Sequence, residues 1–106
     1  MGERERLPNR RGGETFPFLH KGIRYEATIG AYRHGKIGEI FIRAGKSGSD
    51  LTAVMLELAV CVSFALQHGA TIEQLLAAMP KEADGTPEGA LGTLLKILAE
   101  RERVAA

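Results

Sequence analysis

The sequence has no tryptophan, four phenylalanines, two tyrosines and a single cysteine, and no run approaches the roughly 20 apolar residues of a membrane span. One cysteine cannot form an internal disulfide, which favours a reducing, cytoplasmic setting. The charged start MGERER lacks the apolar stretch of a signal peptide. Few aromatic rings leave little surface for stacking bases, which argues against nucleic-acid binding. These absences predict a chain that is neither exported nor inserted in a membrane.

The 106 residues carry 14 basic and 13 acidic side chains, and 44% of them are hydrophobic, as in one globular domain. The charges are unevenly distributed, because residues 1–47 hold ten basic and five acidic side chains, a net +5, and the remainder is −4. A basic half can face an anion such as a nucleotide. The alternative is a solvated sheet face, since five carboxylates are interspersed among the ten cations.

The first half of the chain predicts three strands. Residues 1–13 are read as a charged arm, and residues 14–106 as a single domain. A short strand is expected around residues 16–18, where Pro17 confines it to a sheet edge because proline donates no ladder hydrogen bond. Apolar and polar residues alternate cleanly over residues 23–29, and in a third run over 38–43 Ile40 and Ile42 share one face while Phe41 lies on the other. Short turns between the three runs indicate an antiparallel meander.

The second half predicts helices, so the fold class is α+β. A long helix over residues 51–68 is apolar on more than one face and must be covered on two sides. Thr71 and Gln74 have the spacing of a capping box for a short helix that ends at Pro80. Thr86 is expected to cap the last helix, with Pro87 in its first turn. That helix places four leucines on one face: Leu91, Leu94, Leu95 and Leu98.

Two features predict a homodimer: the open edges of a three-stranded sheet, at β-strand 38–43 in particular, and the excess apolar surface of the long helix. Thr52, Glu57, Ser63 and Gln67 fall on a narrow polar edge of that helix. Cys61 lies on its apolar stripe without a base nearby in sequence, and a buried, inert thiol is expected.

One loop invites comparison with phosphate-binding motifs because GKSGS, at residues 45–49, follows a strand and precedes a helix. The nucleotide-triphosphate P-loop requires a glycine five residues before Gly45, where this chain has Ile40. A weaker anion or nucleotide site remains possible, since backbone N–H groups and one lysine can hold a phosphate. A flexible connection explains the same residues. The candidate anion-binding residues are Arg43, Gly45, Lys46, Ser47, Gly48 and Ser49.

The sequence offers few other candidate residues for binding or catalysis. The arm offers four cations for contacts to phosphates, namely Arg4, Arg6, Arg10 and Arg11. The three histidines, His20, His34 and His68, lie at turns and lack a second ligand at zinc spacing, so we expect no metal. No nucleophile elbow, dinucleotide fingerprint or acid–base pair is visible, and no catalytic residue is assigned.

Four segments carry a resemblance in this order: RERLPNRR at residues 4–11, GKIGEIFI at 35–42, GKSG at 45–48 and LQHGATIE at 66–73. Together they resemble the C-terminal domain, called TSCPD, of cobalamin-dependent (class II) ribonucleotide reductases. Those enzymes carry out radical chemistry in a ten-stranded barrel with several active-site cysteines, an adenosylcobalamin site and a redox cysteine pair. None of these is found in this sequence, and neither is the Thr-Ser-Cys-Pro-Asp signature.

The resemblance therefore implies a stand-alone, non-catalytic relative without a cofactor, because one cysteine cannot run a dithiol cycle. Its expected role is an accessory protein-interaction module connected with deoxyribonucleotide metabolism, with itself or a protein related to ribonucleotide reductase as partner. A small nucleotide- or anion-binding domain using the 45–49 loop is the alternative. A reductase activity given to the chain itself would rest on similarity alone.

Overall fold

The computed structural model describes residues 3–10, 12–44 and 50–105. The chain divides into two compact units, Met1–Gly69 and Ala70–Ala106. The first unit contains three strands, β1 (Gly12–His20), β2 (Ile23–Ala31) and β3 (Ile37–Ala44), followed by helix α1 (Asp50–Gln67). The second contains helices α2 (Ile72–Ala78) and α3 (Ala90–Ala105). The predicted α+β fold, a three-stranded meander followed by three helices, is confirmed.

The sheet is antiparallel in the order β1-β2-β3. A two-residue turn joins β1 to β2, with φ of 50° at Lys21 and 78° at Gly22, the backbone that matches the twist of a tight hairpin. Pro17 lies in β1, an edge strand of this sheet, as its missing N–H group requires. β1 is longer than expected and begins within the predicted arm, at Gly12.

One face of the sheet forms the core of the first unit. Alternate residues of the strands are buried, and the Phe18 and Tyr25 rings stack with centroids 5.5 Å apart. Ile40 and Ile42 are fully buried on the same face. The opposite face carries the exposed side chains Thr15, Thr28 and Phe41. The period-two pattern of the sequence thus separates core from surface, as predicted.

The second unit consists of two packed helices and the loop between them. Thr71 and Gln74 form the predicted capping box: Thr71 Oγ1 accepts from the Gln74 N–H at 3.0 Å, and Gln74 Oε1 accepts from the Thr71 N–H at 3.0 Å. All four leucines of the predicted stripe in α3 are buried, and three of them have no exposed area: Leu94, Leu95 and Leu98.

The start of the last helix corrects a prediction. α3 begins at Ala90, so Thr86 does not cap it and Pro87 is not in its first turn. Thr86 Oγ1 instead donates to Asp84 Oδ1 at 2.7 Å, and Pro87 forms an isolated antiparallel bridge with Lys81. The threonine hydroxyl is thus committed to the preceding turn. No helix within the described ranges is long and apolar enough to span a membrane.

Candidate interaction surface

Helix α1 lies along the edge of β3 and takes the place of a further strand. The Ser63 hydroxyl accepts a hydrogen bond from the Ile40 N–H at 3.0 Å and donates to the Ile40 carbonyl at 3.1 Å. Gln67 Nε2 donates to the Gly38 carbonyl at 3.0 Å. Edge strands present backbone groups that invite pairing with another chain. Here two side chains of α1 satisfy those groups.

This arrangement corrects one expectation about α1. Cys61, predicted to be buried, is exposed, whereas Ser63 and Gln67 of the polar edge are buried. The physical reason is that β3 needs hydrogen-bonding partners along its edge, so Ser63 and Gln67 of α1 turn inwards. The apolar residues on the other side of the helix are consequently left facing outwards.

The outward face of α1 is therefore almost entirely apolar. Five of its apolar side chains keep between 40% and 62% of their surface exposed. Scattered exposed apolar residues are ordinary on protein surfaces, whereas a contiguous set on one helix marks an interaction site. The outward face is defined by these five residues together with Cys61: Leu51, Val54, Leu56, Val60 and Phe64.

The N-terminal arm docks on the C-terminal end of this face. Arg4 Nε donates to Gln67 Oε1 at 2.7 Å, and the guanidinium lies 4.8 Å from the centre of the Phe64 ring, within cation–π range. The Glu5 N–H donates to the Gln67 carbonyl at 2.6 Å. Gln67 thus connects three segments, because its side-chain amide also bonds Gly38 of β3.

Tyr32, after β2, holds the arm from the other side. Its hydroxyl donates to the Glu5 carbonyl. Burial and the nearby Glu5 carboxylate raise the pKa of the Tyr32 hydroxyl above its ordinary value. A Cβ added to Gly38 would lie 2.5 Å from the Tyr32 ring and 3.0 Å from the Leu7 side chain, so glycine is required there. The arm is therefore an integral part of the first unit.

The other arginines predicted to form contacts through the arm are placed differently. Arg6 and Arg10 are exposed. Arg11 lies outside the described residues. Of the three arm arginines that the structure describes, Arg4 is the one that contacts the outward face.

The predicted anion site is only partly described, because Gly45, Lys46, Ser47, Gly48 and Ser49 lie outside the described residues. Arg43 is exposed on β3, opposite Glu26 in the strand register. It lines an open groove of about 260 Å³ together with Leu56 of α1, three residues of the outer sheet face and the buried Ile42; the three are Glu26, Thr28 and Phe41. The groove adjoins the outward face through Leu56.

The histidines take part in local contacts. His68 Nδ1 lies 2.9 Å from the Phe64 carbonyl oxygen, and its ring packs on the Phe64 ring at 4.4 Å. His34 Nδ1 accepts from the Lys36 N–H at 3.3 Å. Among residues 3–10, 12–44 and 50–105, no three histidine, cysteine or acidic side chains cluster as metal ligands do.

Sequence reasoning missed Gln67, Leu56 and Phe64 as members of a site. The available signal was the excess of apolar residues on α1, which predicted that a second side needed cover without showing which side. Gln67 gave no local signal, since its partners Arg4 and Gly38 are distant in the chain.

Comparison with known families identifies relatives. The TSCPD domain model matches residues 4–101. The vitamin B12-dependent ribonucleotide reductase of Agrobacterium fabrum is 40% identical over 76 residues, which is 72% of this chain and 6% of that protein. The protein of the same name from Bradyrhizobium diazoefficiens is 36% identical over 78 residues, 74% of this chain and 6% of that protein.

A third relative, the vitamin B12-dependent ribonucleotide reductase of Streptantibioticus cattleyicolor, is 36% identical over 70 residues, 66% of this chain and 12% of that protein. The chain thus corresponds to a small part of each of these proteins. No solved structure matches it significantly. The match over residues 4–101 confirms the resemblance read from the sequence, and the chain belongs to the TSCPD domain family.

Proposed function

We propose that this chain is a non-catalytic, accessory interaction module connected with deoxyribonucleotide metabolism, and that it works by burying the outward face of α1 against a protein surface. The observation that carries the proposal is the exposure of five apolar side chains on one helix whose opposite side already serves the sheet. The link to deoxyribonucleotide metabolism comes from the relatives, whose names are those of ribonucleotide reductases.

The proposal favours binding over catalysis because of the chemistry of this surface. The outward face offers apolar carbon, one thiol and the Arg4 guanidinium. Such a set can dock a protein surface, since interface cores are apolar and enriched in aromatic residues and arginine. General acid–base chemistry needs a positioned proton donor or acceptor, and the face supplies none beyond the single carboxylate of Glu57.

The alkylation rate of Cys61, followed on this chain by mass spectrometry, tests the proposal, because this thiol lies on the outward face and is the single cysteine of the chain. The rate is measured on the chain alone over a range of concentrations, and again with a purified vitamin B12-dependent ribonucleotide reductase. We expect Cys61 to be protected from alkylation in at least one of these two measurements, and we expect Val60→Glu to abolish the protection. Val104→Glu is the matched control, since Val104 is 86% exposed and belongs to α3 of the second unit.

Each measurement decides a separate part of the proposal. Equal alkylation rates in every condition would overturn the interaction module. If the rate of ribonucleotide reduction by the reductase stays unchanged when the enzyme is saturated with this chain, the link to deoxyribonucleotide metabolism is overturned. Ribonucleotide reduction by the chain itself with adenosylcobalamin would overturn the non-catalytic assignment.

A second candidate function is binding of a nucleotide or another phosphate-bearing anion by Arg43 and the 45–49 loop. The observation that favours it is the groove of about 260 Å³ beside the exposed Arg43. Glu26 in the same groove opposes an anion, which is why this function ranks second. Thermal unfolding with nucleotides tests it: a ligand at one hundred times its Kd adds about 2.7 kcal/mol, and Lys46→Ala should remove that gain.

A further inference from the structure

We infer that the occupant of the outward face is a second copy of this chain, related to the first by a two-fold axis that passes beside Val60 and Cys61. This inference rests on the proposed function and names its partner. It is carried by two unmatched charges on the apolar face, by the position of the edge strand, and by the area of the face.

The first charge is the carboxylate of Glu57. Apart from Asp50, it is the only charged side chain in α1. It is exposed, and it makes no hydrogen bond or ion pair with any described residue. A helix that presents apolar side chains around a single carboxylate requires a cation from elsewhere if that face is covered, because burying an unpaired charge is costly.

The second charge is the guanidinium of Arg4. Its Nε–H bonds Gln67 and its plane lies over the Phe64 ring, but an arginine has five N–H donors in a fork that suits a carboxylate. The described residues supply no carboxylate to that fork. Arg4 therefore presents a cation at the C-terminal end of the outward face.

The spacing of the two charges selects the symmetry. Glu57 and Phe64 are seven residues apart, so they lie on the same side of α1, about 10 Å apart along its axis. If two copies of α1 cross antiparallel with the axis midway between these residues, each Phe64 faces the partner's Glu57. Each Arg4 then reaches a carboxylate, and the pairing is made twice. A parallel arrangement would place like charges together.

The sheet supports the same occupant by closing the route to a dimer through β3. Ser63 and Gln67 already bond the backbone of Ile40 and Gly38. A second copy cannot extend the sheet at that edge without removing α1. Between the third strand and the long helix, the outward face of the helix is therefore the surface left open to self-association.

The area of the face is also appropriate. Five side chains that are 40–62% exposed give an apolar patch on the order of 400–500 Å², within the range of about 300–600 Å² of the largest, often functional, patch on a monomer surface. A standard interface buries about 800 Å² per partner, of which roughly 60% is apolar. The patch thus supplies the apolar centre of a two-fold interface, and the arm and the outer sheet face supply the rim.

Sedimentation equilibrium at micromolar concentrations tests the inference. The wild type is expected to have twice the chain mass, and Val60→Glu to raise the dissociation constant by about 100-fold or more, because two unpaired carboxylates would be buried at the axis. The control Val104→Glu should leave it unchanged. Circular dichroism of each variant verifies folding. A wild type that remains monomeric overturns the inference.

A charge exchange tests the symmetry with substitutions of exposed residues. Arg4→Glu and Glu57→Arg should each weaken the dimer by about tenfold or more, because each brings like charges together at two places. The double variant, in which the signs are exchanged, should recover most of the affinity. Losses that merely add in the double variant would overturn the antiparallel arrangement.

The native cysteine gives an independent check. A short bis-maleimide should cross-link two Cys61 thiols in the wild type and fail in Cys61→Ser and Val60→Glu. A dimer that does not cross-link would place the axis elsewhere and overturn the inference as stated. A monomeric chain that binds the reductase, and loses that binding in Val60→Glu, would overturn the second copy while leaving the proposed function intact. Absence of both associations overturns both.

Discussion

Replacement of Ser63 by alanine tests whether α1 stabilises the sheet by satisfying the edge of β3. The substitution removes one hydroxyl that bonds both the N–H and the carbonyl of Ile40, a residue with no exposed surface. Water cannot reach these groups without opening the contact between α1 and β3. Ser63→Ala therefore leaves two buried backbone groups without partners.

The magnitude follows from the number of groups left unsatisfied. Each buried donor or acceptor without a partner costs about 1–3 kcal/mol, and two such groups, the carbonyl less demanding than the N–H, give about 2–4 kcal/mol. This is a large part of the roughly 5–15 kcal/mol that stabilises a typical domain. With a urea m value of about 2 kcal/mol per molar, the unfolding midpoint should fall by about 1–2 M.

The matched control removes a hydroxyl from the exposed face of the same sheet. Thr28 Oγ1 lies 3.0 Å from Thr15 Oγ1, and both residues are exposed, so water replaces the lost bond in Thr28→Val. The control should change the free energy of unfolding by less than about 0.5 kcal/mol. Urea unfolding followed by circular dichroism measures both variants. Equal midpoints for Ser63→Ala and Thr28→Val would refute the role assigned to α1.

Two further predictions concern titration. The Tyr32 hydroxyl should titrate above 10.0 by NMR because burial and the Glu5 charge disfavour the phenolate, and Glu5→Gln should lower that midpoint. Asp84 should titrate below 3.8, because the Thr86 hydroxyl and N–H bond its carboxylate. A pKa lowered by folding stabilises the turn above the ordinary pKa, and that contribution is lost as pH falls through the folded value. Thr86→Val should move the Asp84 midpoint back towards 3.8, and an unmoved midpoint would contradict the assignment.

Local patterns predicted the elements of this fold well. Alternation over residues 23–29 placed β2, since a strand with one buried face has a period of two. The Thr71 capping box placed the start of α2, because its two hydrogen bonds join residues only three apart. Such signals lie within a few residues of the structure that they specify.

The orientation of α1 could not be predicted in the same way. A helix with apolar residues around most of its circumference has no preferred buried side by hydrophobicity alone. The buried side of α1 is decided by another element, because the edge backbone of β3 needs hydrogen-bonding partners, which Ser63 and Gln67 provide. The placement of Cys61 was wrong for this reason, because it followed from the apolar stripe.

The docking of the arm was likewise beyond local patterns. Arg4 and Gln67 are separated by 63 positions in the chain, and nothing near either residue indicates the other. From its own sequence alone, a segment rich in charged residues is expected to lie in solvent. Its order here depends on Gln67 and Tyr32, which both hydrogen-bond the backbone of Glu5 and are brought near it only once the sheet and α1 have formed.

The two sides of α1 present one physical problem. Using its hydrogen-bonding side, at Ser63, to complete β3 satisfies the buried backbone of the sheet, but it turns Leu56, Val60 and Phe64 towards solvent. A helix at the edge of a monomer has no physical need for such an outward face, since polar residues there would leave the sheet contact intact. The excess apolar surface is explained if a second surface covers it. Arg4 and Glu57 then account for how that surface would be oriented, which the apolar residues alone do not.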